Sequence, residues 1–223
     1  RVLNIATDSP RNPGSSIKPL SVYAPAIELN NFYWSSYLPN FGIMLAGSDK
    51  AWPTNYGGVT GSMSDLRNLQ EALAPSLNTI PARIVQALTA RSYSFLRDNF
   101  HISTLDPSDA NYAPMAIGDM HRGVTTLDMA AAYAVFGNGG KYYKPWCYYK
   151  VTNSSGSTTL LEKDSEPKQA ISAATADVMN HMLQTVVTAS NGTARNYPVK
   201  GFTLFAKTGT SSSNKDKWMC GGT

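Results

Sequence analysis

The sequence predicts an α+β fold that occupies residues 1–223 as one domain. Apolar residues recur at helical spacing in several separate stretches of the first two thirds of the chain. A hairpin pattern and an alternating strand pattern occupy much of the last third. With 223 residues, 42% of them hydrophobic, the chain is long enough to bury the core of one domain, either simple or divided.

Charge and cysteine usage exclude several classes of function. The net charge is +4, but the basic residues are scattered without a run of Lys or Arg, so we expect no nucleic-acid partner. Cys147 and Cys220 form no Cys-x-x-Cys pair, and no His lies at metal-ligand spacing from either. We therefore expect no metal and no cofactor, and the redox state of the two cysteines stays open. No stretch approaches the ~18 apolar residues of a membrane span.

The first helix is predicted to begin at or beside Ser15. The dipeptide Pro13-Gly14 is a turn signal, and Pro19 is tolerated in a first helical turn because its missing N–H would have no partner there. Residues 20–29 continue the helix. Positions i and i+3 share a helix face, so the Lys18 amine is expected to reach the Ser15 hydroxyl, near the positive end of the helix dipole.

The middle of the chain is predicted to be mainly helical. Residues 30–58 are rich in Pro, Gly and Asn and predict a long surface loop, after which Ser64 is expected to cap a helix that ends at residue 74. Ser76-Leu77-Asn78 then lies in a connection between helices. Two further helices are predicted, from about residue 81 to 90 and through residues 95–100.

The remaining elements are predicted from caps and alternation. Residues 106–123 predict a loop, and Thr125 or Thr126 is expected to cap a helix over 127–136 that ends at a glycine-rich stretch. Residues 146–152 and 157–161 predict a hairpin. Ser172 is expected to cap a strongly amphipathic helix that stops at Asn191-Gly192. Residues 202–210 predict a strand, and another begins at residue 218.

Three short motifs carry the functional prediction through their order in the chain. They are Ser-x-x-Lys at 15–18, Ser-x-Asn at 76–78 and Lys-Thr-Gly-Thr at 207–210. A single Ser-x-x-Lys match says little, because Ser165 to Lys168 and Ser212 to Lys215 also fit. The ordered set, however, is the signature of penicillin-binding proteins and class A β-lactamases.

With these motifs the chain resembles the transpeptidase domain of penicillin-binding proteins, in particular the bifunctional class A group. The likeness extends to residues 72–78, 123–130 and 136–140 and covers nearly the whole chain. It implies a penicillin-binding/serine β-lactamase-like fold, with an antiparallel sheet flanked by helices and an all-helical part that carries the first two motifs. In that family further strands precede the first motif and follow the third, so we expect the sheet to be incomplete at both chain ends and this chain alone to be less stable than an extended one.

The resemblance implies three catalytic residues. Ser15 attacks a peptide carbonyl and becomes acylated, Lys18 accepts its proton, and Ser76 relays the proton to the leaving amine. A lysine can act as a base only if burial and nearby positive charge lower its pKa, and Lys207 is the expected second charge.

The resemblance also implies the substrate-binding residues. Asn78 hydrogen-bonds the substrate amide, while Lys207, Thr208 and Thr210 bind its terminal carboxylate. Gly209 is expected to let the substrate lie along the strand, since a side chain there would block it. The N–H groups of Ser15 and Thr210 are expected to form an oxyanion hole.

The implied partners are peptidoglycan stem peptides ending in D-Ala-D-Ala and, as their mimics, β-lactam antibiotics. The implied location is the extracytoplasmic face of the bacterial membrane, reached through an anchor that lies outside this chain.

Other functions remain open. A serine β-lactamase would need a deacylating glutamate, and Glu162 and Glu166, the only candidates between the second and third motifs, are not placed like such a base. A D,D-carboxypeptidase, a β-lactam sensor and a non-catalytic fragment are further alternatives. The three histidines, His101, His121 and His181, are expected to be surface or packing residues.

Overall fold

The computed structural model describes residues 2–163 and 166–223, which form an α+β fold as predicted. The α helices are α1 (Ile5–Asp8), α2 (Ala24–Glu28), α3 (Leu69–Leu73), α4 (Thr79–Leu88), α5 (Arg91–Asp98), α6 (Tyr112–Ile117), α7 (Thr126–Ala134) and α8 (Ala173–Thr188). The strands are β1 (Tyr37–Phe41), β2 (Ile43–Met44), β3 (Ala51–Trp52), β4 (Gly61–Asn68), β5 (Lys141–Tyr142), β6 (Lys150–Thr152), β7 (Thr159–Glu162), β8 (Lys168–Gln169), β9 (Phe205–Thr210) and β10 (Lys217–Gly222).

The core is built around a central helical segment, residues 14–28. It begins as a 3₁₀ turn (Gly14–Ile17), continues as a π-helical turn (Pro19–Tyr23) and ends as α2. Prolines account for this change of geometry, because neither Pro19 nor Pro25 has an N–H to donate four residues back. The predicted helix is therefore present, but its turns are irregular where it carries the first motif.

The segment between the first two motifs corrects two predictions. The expected loop over residues 30–58 contains β1, β2 and β3, and β1 pairs antiparallel with β4. Ser64 lies within β4 and caps no helix. The helix begins instead at Leu69, because Asn68 and Glu71 form a reciprocal capping box in which each side chain accepts the other's backbone N–H.

Most other predicted elements are confirmed with shifted ends. Thr125 caps α7 and Ser172 caps α8 through their side-chain oxygens, and β6 pairs with β7 as the predicted hairpin. The prediction of a loop over residues 106–123 was incomplete, because this stretch contains a 3₁₀ turn (Pro107–Asp109) and α6. Asp106 and Asn111 begin these two elements by capping them.

The strand of the third motif belongs to an antiparallel pair. In the β9–β10 ladder, Trp218 lies opposite Gly209 and Cys220 opposite Lys207. Within the described residues β10 is the only strand paired with β9, so the other edge of β9 has no strand beside it. One face of β9 packs on α8 and on the 3₁₀ turn of the central segment, which brings the first and third motifs together.

Candidate active site

A cleft of about 890 Å³ collects all three motifs. Six of the predicted site residues line it, namely Ser15, Ser76, Asn78, Thr208, Gly209 and Thr210. The other two, Lys18 and Lys207, are fully buried and are hydrogen-bonded to residues of the lining. All eight predicted residues thus lie at one place in the fold.

Ser15 lies in the 3₁₀ turn that packs directly on β9. Gly14 has φ +50°, and a side chain there would collide with the backbone of Thr210. A glycine is required at this position both for the left-handed backbone and for the close approach. The Ser15 hydroxyl lines the cleft and has no hydrogen bond within the described part of the chain.

Gly209 is needed for a different reason from the one predicted. A Cβ on Gly209 would meet the backbone oxygen of Pro13 and the backbone nitrogen and Cβ of Ser16, which belong to the turn around Ser15. The missing side chain therefore makes room for the nucleophile turn. The approach of a substrate backbone along β9 stays a prediction.

Ser76 is held in an uncommon backbone conformation beside Lys207. Its φ is +63°, in the left-handed region that non-glycine residues rarely adopt. The Lys207 amine donates to Ser76 Oγ at 2.7 Å and to the Thr208 carbonyl at 2.9 Å. Burial lowers the pKa of Lys207 to about 7, because a cation loses hydration in the interior.

Lys18 contacts the second motif rather than Ser15. Its Nζ donates to Asn78 Oδ1 at 2.7 Å, to the Leu77 carbonyl at 2.8 Å and to the Ser76 carbonyl at 3.2 Å. The expected hydrogen bond to Ser15 Oγ is not formed. The two residues are linked through the backbone instead, because the Lys18 N–H donates to the Ser15 carbonyl, and side chains three apart eclipse in a 3₁₀ turn.

Two opposing effects act on the Lys18 amine. Burial, followed by repulsion from the Lys207 charge, lowers the pKa of Lys18 well below the usual lysine value. The three oxygen acceptors favour the ammonium form. Burial is complete and the second cation is close, so the net effect on the pKa of Lys18 is downward.

Sequence reasoning missed Thr193, which shares the wall of the cleft with the third motif. Its Oγ1 lies 2.6 Å from Thr208 Oγ1, and its N–H donates to the Ala74 carbonyl at 3.1 Å. Thr193 thus joins β9 to the end of α3. No local pattern marks it, since it is one of many polar residues after a helix.

Asn12 was missed as well. Its carbonyl accepts the indole N–H of Trp218 at 2.9 Å, and its Oδ1 accepts the backbone N–H of Met120 at 2.8 Å. These bonds tie the turn before Ser15 to β10 and to the segment after α6. Proximity to the first motif was the only signal available in the sequence.

No cysteine or histidine is among the described residues that line the cleft. Cys220 is a free thiol opposite Lys207, and burial raises its pKa to about 11, which keeps it a neutral, unreactive thiol. His101 packs against the Tyr142 ring at a centroid distance of 4.6 Å, while His121 and His181 are exposed. No group of metal-ligating side chains occurs among the residues described. The helices in that part of the chain are too short or too polar to span a membrane.

The matched family model is the penicillin binding protein transpeptidase domain, over residues 1–221. Penicillin-binding protein 1A of Clostridium acetobutylicum is 32% identical over 215 residues, which is 95% of this chain and 26% of that protein. Penicillin-binding protein 4 of Bacillus subtilis is 32% identical over 220 residues, which is 98% of this chain and 33% of that protein. The chain therefore spans only about a quarter to a third of the length of these curated relatives.

Solved structures of penicillin-binding proteins superpose on nearly the whole chain. The PonA1 protein of Mycobacterium tuberculosis in complex with penicillin V superposes with a TM-score of 0.79 at 25% identity, over 100% of this chain and 60% of that one. Penicillin-binding protein 1A from Haemophilus influenzae gives a TM-score of 0.79 at 25% identity, over 98% of this chain and 37% of that one. With a family model that matches nearly the whole sequence and three ordered motifs around one cleft, the chain belongs to the penicillin-binding protein transpeptidase family.

Proposed function

We propose that this chain is a serine D-Ala-D-Ala transpeptidase domain that cross-links peptidoglycan stem peptides. Ser15 attacks the carbonyl between the two D-alanines and forms an acyl-enzyme, which an amine of a second stem peptide then resolves. β-Lactams acylate the same serine. The domain acts at the extracytoplasmic face of the cell membrane as part of a longer protein.

One observation carries this proposal, the hydrogen bond of 2.7 Å between Lys207 Nζ and Ser76 Oγ. It joins motifs that are 131 residues apart in sequence, in the wall of the cleft that also holds Ser15. The Ser76 hydroxyl accepts from Lys207, and Lys18 donates to the carbonyl of the same residue, so Ser76 lies beside two lysines of lowered pKa and can serve as a proton relay.

The proposed acylation moves one proton. As Ser15 Oγ bonds to the substrate carbonyl, its proton passes to the amine of Lys18, which approaches Ser15 Oγ once substrate fills the cleft. The C–N bond breaks when Ser76 delivers a proton to the leaving D-alanine, and Ser76 is reprotonated by Lys18. The N–H groups of Ser15 and Thr210 stabilise the oxyanion.

In this proposal the terminal carboxylate of the substrate binds at the third motif, on β9. Thr208 and Thr210 are on the cleft-facing side of β9, and Lys207 supplies positive charge when protonated. The hydroxyl of Thr193 adds a further donor next to Thr208. Because the pKa of Lys207 is about 7, a bound carboxylate favours its charged form.

Glu162 gives no support to the β-lactamase alternative. It lies on the exposed β7 strand, and among the described residues that line the cleft the only acid is Asp119. We therefore expect the penicilloyl-enzyme to persist. Rapid loss of the label with release of hydrolysed penicillin would favour a β-lactamase instead.

Labelling with a fluorescent penicillin, followed by peptide mapping, tests the nucleophile. We expect the label on Ser15, none on Ser15→Ala, and a loss on Lys18→Ala. Ser165→Ala is a matched control, because Ser165 begins another Ser-x-x-Lys match, and it should label like the parent. A label on Ser76, or persistent labelling of Ser15→Ala, would overturn the assignment.

Turnover separates the remaining alternatives. A thioester analogue of the stem peptide, supplied with and without an amine acceptor, should give an aminolysis product that grows with acceptor concentration. Hydrolysis alone would indicate a carboxypeptidase, and a single round of acylation without turnover would indicate a sensor.

A further inference from the structure

A chain of buried side-chain amides lies beneath the second motif. Asn55 Oδ1 accepts the backbone N–H of Asn78 at 2.8 Å, and Asn55 Nδ2 donates to Asn40 Oδ1 at 2.8 Å. Asn40 Nδ2 donates in turn to Asp65 Oδ2, also at 2.8 Å. Asn40 and Asn55 are 8% and 7% exposed, so the chain runs through the interior from β4 to the start of α4.

Both ends of this chain fix the orientation of its amides. An ionised carboxylate only accepts hydrogen bonds, so Asn40 must present its Nδ2 to Asp65. A backbone N–H only donates, so Asn55 must present its Oδ1 to Asn78. The bond from Asn40 keeps the pKa of Asp65 below its usual value, which maintains the charge. Successive hydrogen bonds polarise one another, so the Asp65 charge strengthens Asn55 Oδ1 as an acceptor.

The start of α4 explains why this acceptor matters. Asn78 is the N-cap of α4, but its side chain makes no capping bond. Its Oδ1 accepts from Lys18, and its Nδ2 donates to the Thr54 carbonyl at 2.9 Å. The N–H of Thr79 instead points at Asn55 Oδ1, 3.4 Å away. Asn55 thus accepts the first two backbone N–H groups at the start of α4, those of Asn78 and Thr79.

Resting on the proposed function of this site, we propose that Asn55 and Asn40, anchored on Asp65, are positioning residues that hold the first backbone N–H groups of α4 and so keep the Asn78 side chain facing Lys18. Without them, the N–H groups of Asn78 and Thr79 lose their acceptor, and the Asn78 side chain is no longer held toward Lys18. Lys18 then loses its shortest hydrogen bond, and the connection that carries Ser76 loses the support that holds its left-handed backbone.

Asn55→Ala is the first test, with Asn180→Ala as the matched control. Asn180 is a partly buried asparagine with two side-chain hydrogen bonds, to the Phe136 carbonyl and from Gln184, and it is not among the described residues that line the cleft. We expect Asn55→Ala to slow acylation of Ser15 by fluorescent penicillin at least tenfold and Asn180→Ala to leave it unchanged, at similar melting temperatures. Acylation of Asn55→Ala at the rate of the parent protein would overturn the proposal.

Amide hydrogen exchange provides a readout independent of activity. The peptide that covers residues 76–79 should lose protection in Asn55→Ala and keep it in Asn180→Ala. If the parent protein is not acylated at all, the proposed function fails, while this comparison still decides whether Asn55 holds the connection. Unchanged protection of the peptide would contradict the positioning role.

A double variant that moves the carboxylate from position 65 to position 55 tests the direction of the hydrogen bonds along the amide chain. In Asn55→Asp, Asn40 lies between two carboxylates, and its Oδ1 faces one of them in either orientation of the amide. Acylation should therefore fall as in Asn55→Ala. When Asp65→Asn is added, the Asn40 amide can rotate, so that its Nδ2 donates to the carboxylate at position 55 and its Oδ1 accepts from the amide at position 65. The total charge equals that of the parent. We expect the double variant to recover most of the acylation rate. A double variant no better than Asn55→Asp would overturn the proposal.

Discussion

At the scale of single residues, the site is defined by two buried lysines. Lys18 and Lys207 have no exposed surface, which is uncommon for this residue type. Their hydrogen bonds go to carbonyl, amide and hydroxyl oxygens rather than to carboxylates. Burial therefore favours the neutral amine and the acceptors favour the ammonium form, and in this balance the pKa of each lysine lies below its usual value.

This balance predicts a pH dependence of stability. The pKa of Lys207 is 10.5 in the unfolded chain and about 7 in the folded one, so between these values the unfolded chain binds the additional proton. The free energy of unfolding should therefore rise with pH from about 7 upwards, by at most about 1.4 kcal/mol per pH unit for one lysine. The contribution is constant below pH 7, and Lys18 acts in the same direction.

Urea unfolding between about pH 6 and pH 9 measures this slope. Lys207→Met retains the buried stem without the charge and should reduce the slope, leaving the contribution of Lys18, whereas Lys144→Met, at an exposed position, should not change it. A parent stability that falls between pH 7 and pH 9 would contradict the downward shift of the lysine pKa.

At the scale of elements, the contact between β9 and the 3₁₀ turn assembles the site. The two backbones touch at Gly14 and Gly209, where any side chain would collide with the opposite element. Close packing of this kind lets the Ser15 hydroxyl and the backbone of Thr210 share one wall of the cleft.

Gly209→Ala should therefore separate the turn from the strand. The added methyl has no flexible neighbour to displace, so we expect a loss of about 1–3 kcal/mol in the free energy of unfolding and a larger relative loss of acylation. Gly201→Ala is the comparison, because no atom lies near its missing Cβ and only its backbone is strained. A Gly209→Ala variant with parental acylation would show that the turn can move without consequence.

The start of α3 supplies a second prediction at this scale. Asn68→Ala removes one half of the capping box and should lower the free energy of unfolding by about 1 kcal/mol. Ser64→Ala lies on an exposed part of β4 and should change it by less than about 0.5 kcal/mol. Chemical denaturation of both variants compares the two helix starts, and the opposite ranking would restore the start predicted from sequence.

At the scale of the whole molecule, the cleft lies where segments distant in sequence meet. The central helical segment, the connection before α4 and the β9–β10 pair each supply one wall. A covalent ligand on Ser15 that also contacts β9 would link these walls in the folded state only, and binding restricted to the folded state raises stability.

Acylation by penicillin should accordingly raise the melting temperature. Ser15→Ala, incubated with the same penicillin, should show no rise, because a reversible encounter without the ester contributes little at low ligand concentration. Equal melting curves for acylated and free parent protein would indicate that the walls of the cleft do not stabilise one another through the ligand.

Much of the site could be predicted from the sequence because its signals are local. The order of the three motifs identified Ser15, Ser76 and Lys207, and the caps at Thr125 and Ser172 act within one helical turn. Helix starts and strand alternation of this kind depend on neighbouring residues, so they can be recognised without a fold.

Tertiary structure decided the features that depend on contacts between distant segments. The pairing of β1 with β4 turned the predicted start of a helix into a strand, since cross-strand packing outweighs local propensity. The partners of Lys18 lie about 60 residues away, and the acceptor of the Asn78 N–H is Asn55, 23 residues earlier in the chain. The sequence by itself determined which chemical groups are present, but only the folded chain determined which of them lie within hydrogen-bonding distance, because such contacts require close packing of segments far apart in sequence.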